Sequence, residues 1–195
     1  MYQGKNPIAK RSQDWLANAL LELLRTKPYV QISIKDICDR ADLSRQTFYQ
    51  LFDSKEELAR YALHYRVCLF FSKCETNLDT VDCLRLATQQ FARVVRSNQE
   101  IILLYRKNNL QYLMHEEISR TLSSMNIRFD KECDPLIKPL ANAFFTGALA
   151  RSLLVLVEHN EISDEAFSEF FCGVLQGNSS VLEWKMQSSS ANETD

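Results

Sequence analysis

Apolar residues return every three or four positions along most of this chain, and the breaks between runs carry residues that start or stop helices. Ile8, Trp15, Leu16, Ala19, Leu20, Leu23 and Leu24 form the first stripe, the pattern of an amphipathic helix. Asn6-Pro7 opens it with a capping side chain and a proline whose missing N–H costs nothing in a first turn. Lys27-Pro28 closes it, because proline drives the residue before it away from helical backbone. Ser33 begins a second, short helix with Asp36 in its first turn and Ile34, Ile37 and Cys38 turned inward. Arg40–Leu43 is a tight connection, and Ser44 caps a third helix over Arg45–Leu51. Ser54-Lys-Glu-Glu57 reads as a capping box opening a fourth helix to about Lys73.

Helical patterns continue over residues 80–97, 99–106 and 108–124, then from about Pro135 to Glu158. His159–Ile162 is a turn, and Ser163 caps a last helix to about Gln176, with Asp164 and Glu165 in its first turn. Val30–Ile34 alternates weakly but has no second strand to pair with. Four glycines and four prolines in 195 residues leave few turns, which suits long helices with short joints. The expected fold is all-α, with about nine helices. A three-helix head occupies residues 1–60, a larger helical bundle residues 61–187, and a polar, disordered tail residues 188–195.

Several function classes are disfavoured. The longest apolar runs, such as Val67–Phe71, are five residues, against roughly 20 for a membrane span. Lys5, Lys10, Arg11 and Asp14 interrupt any signal-peptide core, so the expectation is a soluble, cytoplasmic protein without a membrane partner. Six scattered cysteines read as free thiols. His64 and Cys68 share a helix face, but two ligands are not a site, and neither a metal nor a cofactor is expected. No glycine-rich phosphate loop or nucleophile motif occurs, and His64, His115 and His159 stand apart from any nucleophile, so no enzyme is expected. Residues 1–66 carry 11 Lys/Arg against 8 Asp/Glu, whereas the whole chain has a net charge of −2. A mildly basic head on an acidic body suits contact with a polyanion without proving it.

The third helix is the informative one. At 100° per residue Phe48 and Phe52 point one way with Leu51 nearby, and all three belong to the core. Gln46 and Gln50 fall opposite, flanked by Thr47 and Tyr49. A helix that only packs has no need of such a face. Gln pairs bidentately with adenine in the major groove and Arg with guanine. Two short helices joined by a four-residue turn match a helix-turn-helix.

Residues 33–58, and above all Ser44-x-x-Thr47-Phe48-Tyr49-x-x-Phe52-x-x-Lys55-x-x-Leu58, resemble the DNA-binding segment of tetracycline-repressor-like (TetR family) regulators. The preceding Trp15–Leu24 helix fits as well, and the resemblance covers about residues 8–60. Pro28 and Asp42 stand where that family usually has glycine. Asp tolerates left-handed backbone, so Asp42 suits the turn. The resemblance implies that Arg45, Gln46 and Gln50 meet base edges. It implies phosphate contacts for Thr47 and Tyr49, helped by Ser33, Ser44 and Lys55. Packing alone is the alternative for Tyr49, and capping alone for Ser33 and Ser44.

Residues 140–157 are apolar nearly all round, so this helix should be covered on two sides. Ala143, Gly147 and Ala150 line a narrow stripe where a second helix can approach, with Leu154 beside it. Phe167, Phe170, Phe171 and Val174 of the last helix join them as the expected homodimer interface. The resemblance further implies a repressor that binds a palindromic double-stranded operator as a homodimer and is released by a small-molecule effector. Phe70, Phe91, Tyr105, Tyr112, Met114 and Arg151 are the candidate pocket residues, Arg151 being expected to need an acidic partner. The alternative is a co-activator, or a regulator controlled by a protein partner.

Overall fold

The computed structural model describes residues 2, 4, 6–68, 81–124 and 137–175. The expected tail, Phe70, and the stretch around Asp134 and Pro135 lie outside the described residues. Among the described residues there are nine α-helices and no strand. These are α1 (Pro7–Thr26), α2 (Ile34–Ala41), α3 (Arg45–Leu51), α4 (Lys55–Leu63), α5 (Val81–Ser97), α6 (Gln99–Lys107), α7 (Gln111–Ser124), α8 (Ile137–Glu158) and α9 (Asp164–Leu175).

Local chemistry accounts for the helix starts. The Asn6 side chain accepts from the Ile8 N–H at 3.0 Å, with Pro7 at the first helical position. Ser33 and Asp36 form a full capping box: the Asp36 N–H donates to Ser33 Oγ at 3.1 Å, and the Ser33 N–H donates to Asp36 Oδ2 at 2.7 Å. At α4 the Glu57 N–H donates to Ser54 Oγ, but the Glu57 carboxylate accepts from Asp53 N–H, one residue earlier than a strict box.

Three boundaries differ from the sequence expectation. The fourth helix is α-helical only to Leu63 and continues as a π turn over His64–Cys68. The stretch expected to run unbroken from 108 turns first, with Asn109 in left-handed backbone at φ 58°, before α7 begins. Tyr29–Gln31 is a short 3-10 turn.

Leu16, Leu20 and Leu24 of α1 pack with Ile37, Phe48, Phe52 and Leu58 in one buried cluster. Burying each such side chain contributes about 1.5–3 kcal/mol. Trp15 and Ile8, read in sequence as part of the α1 stripe, are exposed instead. The buried arc of α1 runs through Gln13, Leu16, Ala17 and Leu20, and both residues lie more than a right angle from its centre at 100° per residue. The guanidinium of Arg11 stands 5.3 Å from the Trp15 ring centre.

In the body, α5 and α9 meet closely. Phe91 stacks on Phe167 with centroids 5.8 Å apart, and the buried hydroxyls of Thr88 and Ser168 lie 2.7 Å apart. Helix α8 lies along α7, where Asn142 donates to Ser123. Arg96 holds the turn before α9 through Asp164 at 2.8 Å and the Ile162 carbonyl.

Head and body share specific bonds. Arg25 pairs with Glu100 at 2.6 Å, and the Tyr29 N–H donates to Asn108 Oδ1 at 2.8 Å. The Tyr105 hydroxyl donates to the Ala59 carbonyl at 2.6 Å, and Tyr112 donates to Glu56 at 3.0 Å. Arg60 bridges Glu56 and Glu116. The buried Glu117 carboxylate meets His64 Nδ1 at 3.1 Å and the Arg120 guanidinium.

Candidate nucleic-acid interface

The turn between α2 and α3 depends on Asp42, which sits in left-handed backbone at φ 52°, ψ 46°. A β-branched residue there would be strained, whereas Asp is among the few non-glycine residues that enter this region readily. The turn delivers Ser44 to the start of α3, where its Oγ accepts from the Thr47 N–H at 3.0 Å and lies 2.9 Å from the Thr47 hydroxyl. Behind α3, Phe48, Leu51 and Phe52 are buried, with the Phe48 and Phe52 rings 5.9 Å apart. This anchor fixes which way the helix faces.

The opposite face is open. Arg45, Gln46, Tyr49 and Gln50 are all exposed, Tyr49 by 58%. The Tyr49 ring rests edge-on against Phe48, its centroid 5.5 Å away. Thr47 is half-buried. Ser33 and Ser44 are exposed, and both hydroxyls already serve as caps. Lys55 is half-buried, and its ammonium donates to the carbonyls of Tyr29 at 2.7 Å and Ile32 at 2.6 Å. Burial pulls the Lys55 pKa below its ordinary value, partly opposed by the charge of Asp36. Asp36 itself is held well below the usual carboxylate range, first by the Ser33 N–H, then by the Ser33 hydroxyl and Lys27. Its ion pair with Lys27 spans 3.0 Å. Neither Tyr29 nor Asn108 has a sequence signal that marks it, because their roles depend on a carbonyl and an amide brought together across the fold.

The residues read as a dimer face divide in two. Ala143 is exposed, while Gly147, Ala150, Leu154 and Val174 are half-buried. Among the described residues no atom lies within 4 Å of where a side chain at Gly147 would begin. Phe170 is 47% exposed, as are Leu140 by 66% and Phe144 by 63%. Phe167 and Phe171 are buried within the chain, their rings 4.6 Å apart. The 3.6-residue period of α9 sends these two toward α5 and only Phe170 outward.

The residues read as an effector pocket occupy different places. Phe91 serves the α5–α9 contact, whereas Tyr105 and Tyr112 bond to the head through Ala59 and Glu56. Met114 is buried in the core. Arg151 is exposed, so water solvates its charge and the acidic partner expected for it is not required.

Residues 16–62 match the family model of bacterial regulatory proteins, tetR family. Over 47 residues the chain is 43% identical to the HTH-type dhaKLM operon transcriptional activator DhaS of Lactococcus lactis subsp. lactis (strain IL1403). That stretch is 24% of this chain and 25% of the relative, so the match spans about a quarter of the relative's length. Among solved structures, the dihydroxyacetone kinase operon activator DhaS superposes with a TM-score of 0.45 at 20% identity, covering 87% of this chain and 97% of that one. A transcriptional regulator from Rhodococcus sp. Rha1 superposes with a TM-score of 0.44 at 17% identity, covering 85% and 96%. No helix among the described residues is long and apolar enough to cross a membrane. Residues 16–62, whose helix-turn-helix is anchored by Phe48 and Phe52, are thus similar to the DNA-binding segment of bacterial regulatory proteins of the tetR family.

Proposed function

We propose that the chain is a transcriptional regulator that binds a palindromic operator as a homodimer in the cytoplasm, using residues 1–60 as its reading head and residues 61–187 as its dimerisation and effector body. The observation that carries this reading is the outward face of α3, where Arg45, Gln46, Tyr49 and Gln50 are exposed over a buried aromatic anchor. Arg45, Gln46 and Gln50 read base edges, while Ser33, Ser44, Thr47 and Tyr49 set the register on phosphates. A phosphate accepts hydrogen bonds, so at these helix starts it is met by a hydroxyl proton or by the unpaired N–H groups of the first turn.

Dimerisation is supported by Leu140 and Phe144 of α8 and Phe170 of α9, large apolar side chains left exposed on the last two helices. A single helix-turn-helix reads few base pairs, and a symmetric pair doubles them. An unidentified small-molecule effector that releases the operator finds support in the body's interior. There the buried Thr146 hydroxyl has no hydrogen-bond partner among the described residues, the kind of group a ligand or water satisfies.

The family pattern favours repression. Activation, in concert with a protein partner, is the second reading, because the relative that shares the head at 43% identity is named as an operon activator. Selection of bound duplexes from a random pool tests the main reading. Recovery of a palindrome whose half-sites lie a whole number of helical turns apart is the expected result, and recovery of no enriched duplex overturns it. A reporter behind that operator separates the two senses of regulation, since deleting the regulator raises output under repression and lowers it under activation.

A further inference from the structure

We infer that Lys55 is a positioning residue, which clamps the link between α1 and α2 and so sets where the helix-turn-helix sits; this rests on the DNA-binding reading of α3. Its ammonium has three N–H donors. Two are committed, at 2.7 Å to the Tyr29 carbonyl and 2.6 Å to the Ile32 carbonyl, and Nζ stands 4.1 Å from the centre of the Tyr29 ring. These carbonyls bracket the 3-10 turn, and Ile32 is a buried core residue directly before Ser33, the cap of α2. The same turn is held from the body by the bond from the Tyr29 N–H to Asn108.

The placement of Lys55 along its own helix points the same way. It is the first residue of α4, where the positive end of the helix dipole disfavours a cation. A lysine there needs oxygen partners in compensation, and the fold supplies two carbonyls. Charge-assisted bonds to both fix the entry of α2, hence the turn at Asp42, and through it the exposed face of α3. A lysine kept only for phosphate would keep its ammonium in solvent, as Lys35 does, whose side chain is 65% exposed beside Asp39.

Lys55→Met keeps the apolar stem and deletes the donors. Binding of the full chain to its selected duplex and to a scrambled duplex is measured by fluorescence anisotropy over a salt series, with circular dichroism establishing that the variant is folded. Clamping predicts affinity for the selected duplex falling about tenfold, the size expected for lost charge-assisted bonds. Affinity for the scrambled duplex and the salt slope stay unchanged. An equal loss on both duplexes, with a slope lowered by about two for a dimer, makes Lys55 a phosphate ligand and overturns the inference. So does a variant indistinguishable from the parent.

A parent chain that binds no duplex overturns the DNA-binding reading instead. The clamp itself is then decided on the parent alone by nitrogen-15 NMR of lysine ammonium groups without DNA. Slower proton exchange at Lys55 than at Lys35 supports the clamp, and equal exchange refutes it. The same measurement applies if Lys55→Met fails to fold.

Discussion

At the scale of single residues, the division of labour around α3 follows from what each side chain already does inside the chain. Gln46 is exposed and belongs to no described hydrogen bond, so its amide is available to a base edge. Gln46→Ala is expected to lower discrimination between the selected operator and single-base variants by about 1–3 kcal/mol, measured by competitive binding. Asp36 has a different duty, since its carboxylate caps α2 and its pKa is depressed. A depressed carboxylate contributes stability that is complete above its unfolded-state pKa and lost as pH falls through the folded value. Urea denaturation should therefore show Asp36→Asn less stable than the parent at neutral pH. The gap should narrow as pH drops below the usual carboxylate range and the parent's own carboxylate protonates. A gap that stays constant as pH falls below that range would remove the charge from the argument.

Among the helices, α8 shows how one element can be both well formed and incompletely covered. Leu153, Leu156 and Val157 are buried at its C-terminal end, while Leu140, Ala143 and Phe144 are exposed near its start. Gly147 lies between them, with open space beyond its Cα among the described residues. In a lone subunit, Gly147→Leu should stabilise α8, because glycine in a helix interior costs about 1 kcal/mol relative to good helix formers. If a second copy approaches along this stripe, the added side chain collides with it. Sedimentation is then expected to show more monomer in the variant together with an unchanged or higher melting temperature of the monomer. A variant that stays as dimeric as the parent would move the seam elsewhere. Helix α9 makes the complementary point. Three phenylalanines lie within five residues, and the helical period alone divides Phe167 and Phe171 from Phe170.

Across the molecule, head and body are joined by side chains that reach from one onto the other's backbone or carboxylates. Tyr105 is the most buried of these, and its phenol is pushed upward in pKa chiefly by that burial, so it stays a donor to the Ala59 carbonyl at any physiological pH. Tyr105→Phe removes one buried bond and is expected to cost about 0.5–1.5 kcal/mol in chemical denaturation. If this bond also transmits the state of the body to the head, the variant changes operator affinity while both parts remain folded. Affinity identical to the parent at reduced stability would make the bond purely structural. Coupling of this kind requires an effector that binds the two head positions unequally.

Much of this is legible in the sequence. Caps and breakers are local signals, so Asn6-Pro7, Ser33, Ser44 and Ser54 place the starts of α1 to α4, and the pairing of Phe48 with Phe52 marks the inner side of α3. The aspartate in the turn was likewise readable, since few side chains tolerate its backbone. What stayed hidden is non-local. A lysine at a helix start reads equally as a phosphate contact or a clamp until the Tyr29 and Ile32 carbonyls arrive from elsewhere in the chain. Periodicity shows that α8 and α9 are apolar but not which phenylalanine meets a neighbouring helix, because that depends on the direction from which α5 packs. Hydrogen-bond chemistry within one turn is written in adjacent residues; partners 23 or 79 positions apart are chosen by the packing that brings them within 3 Å.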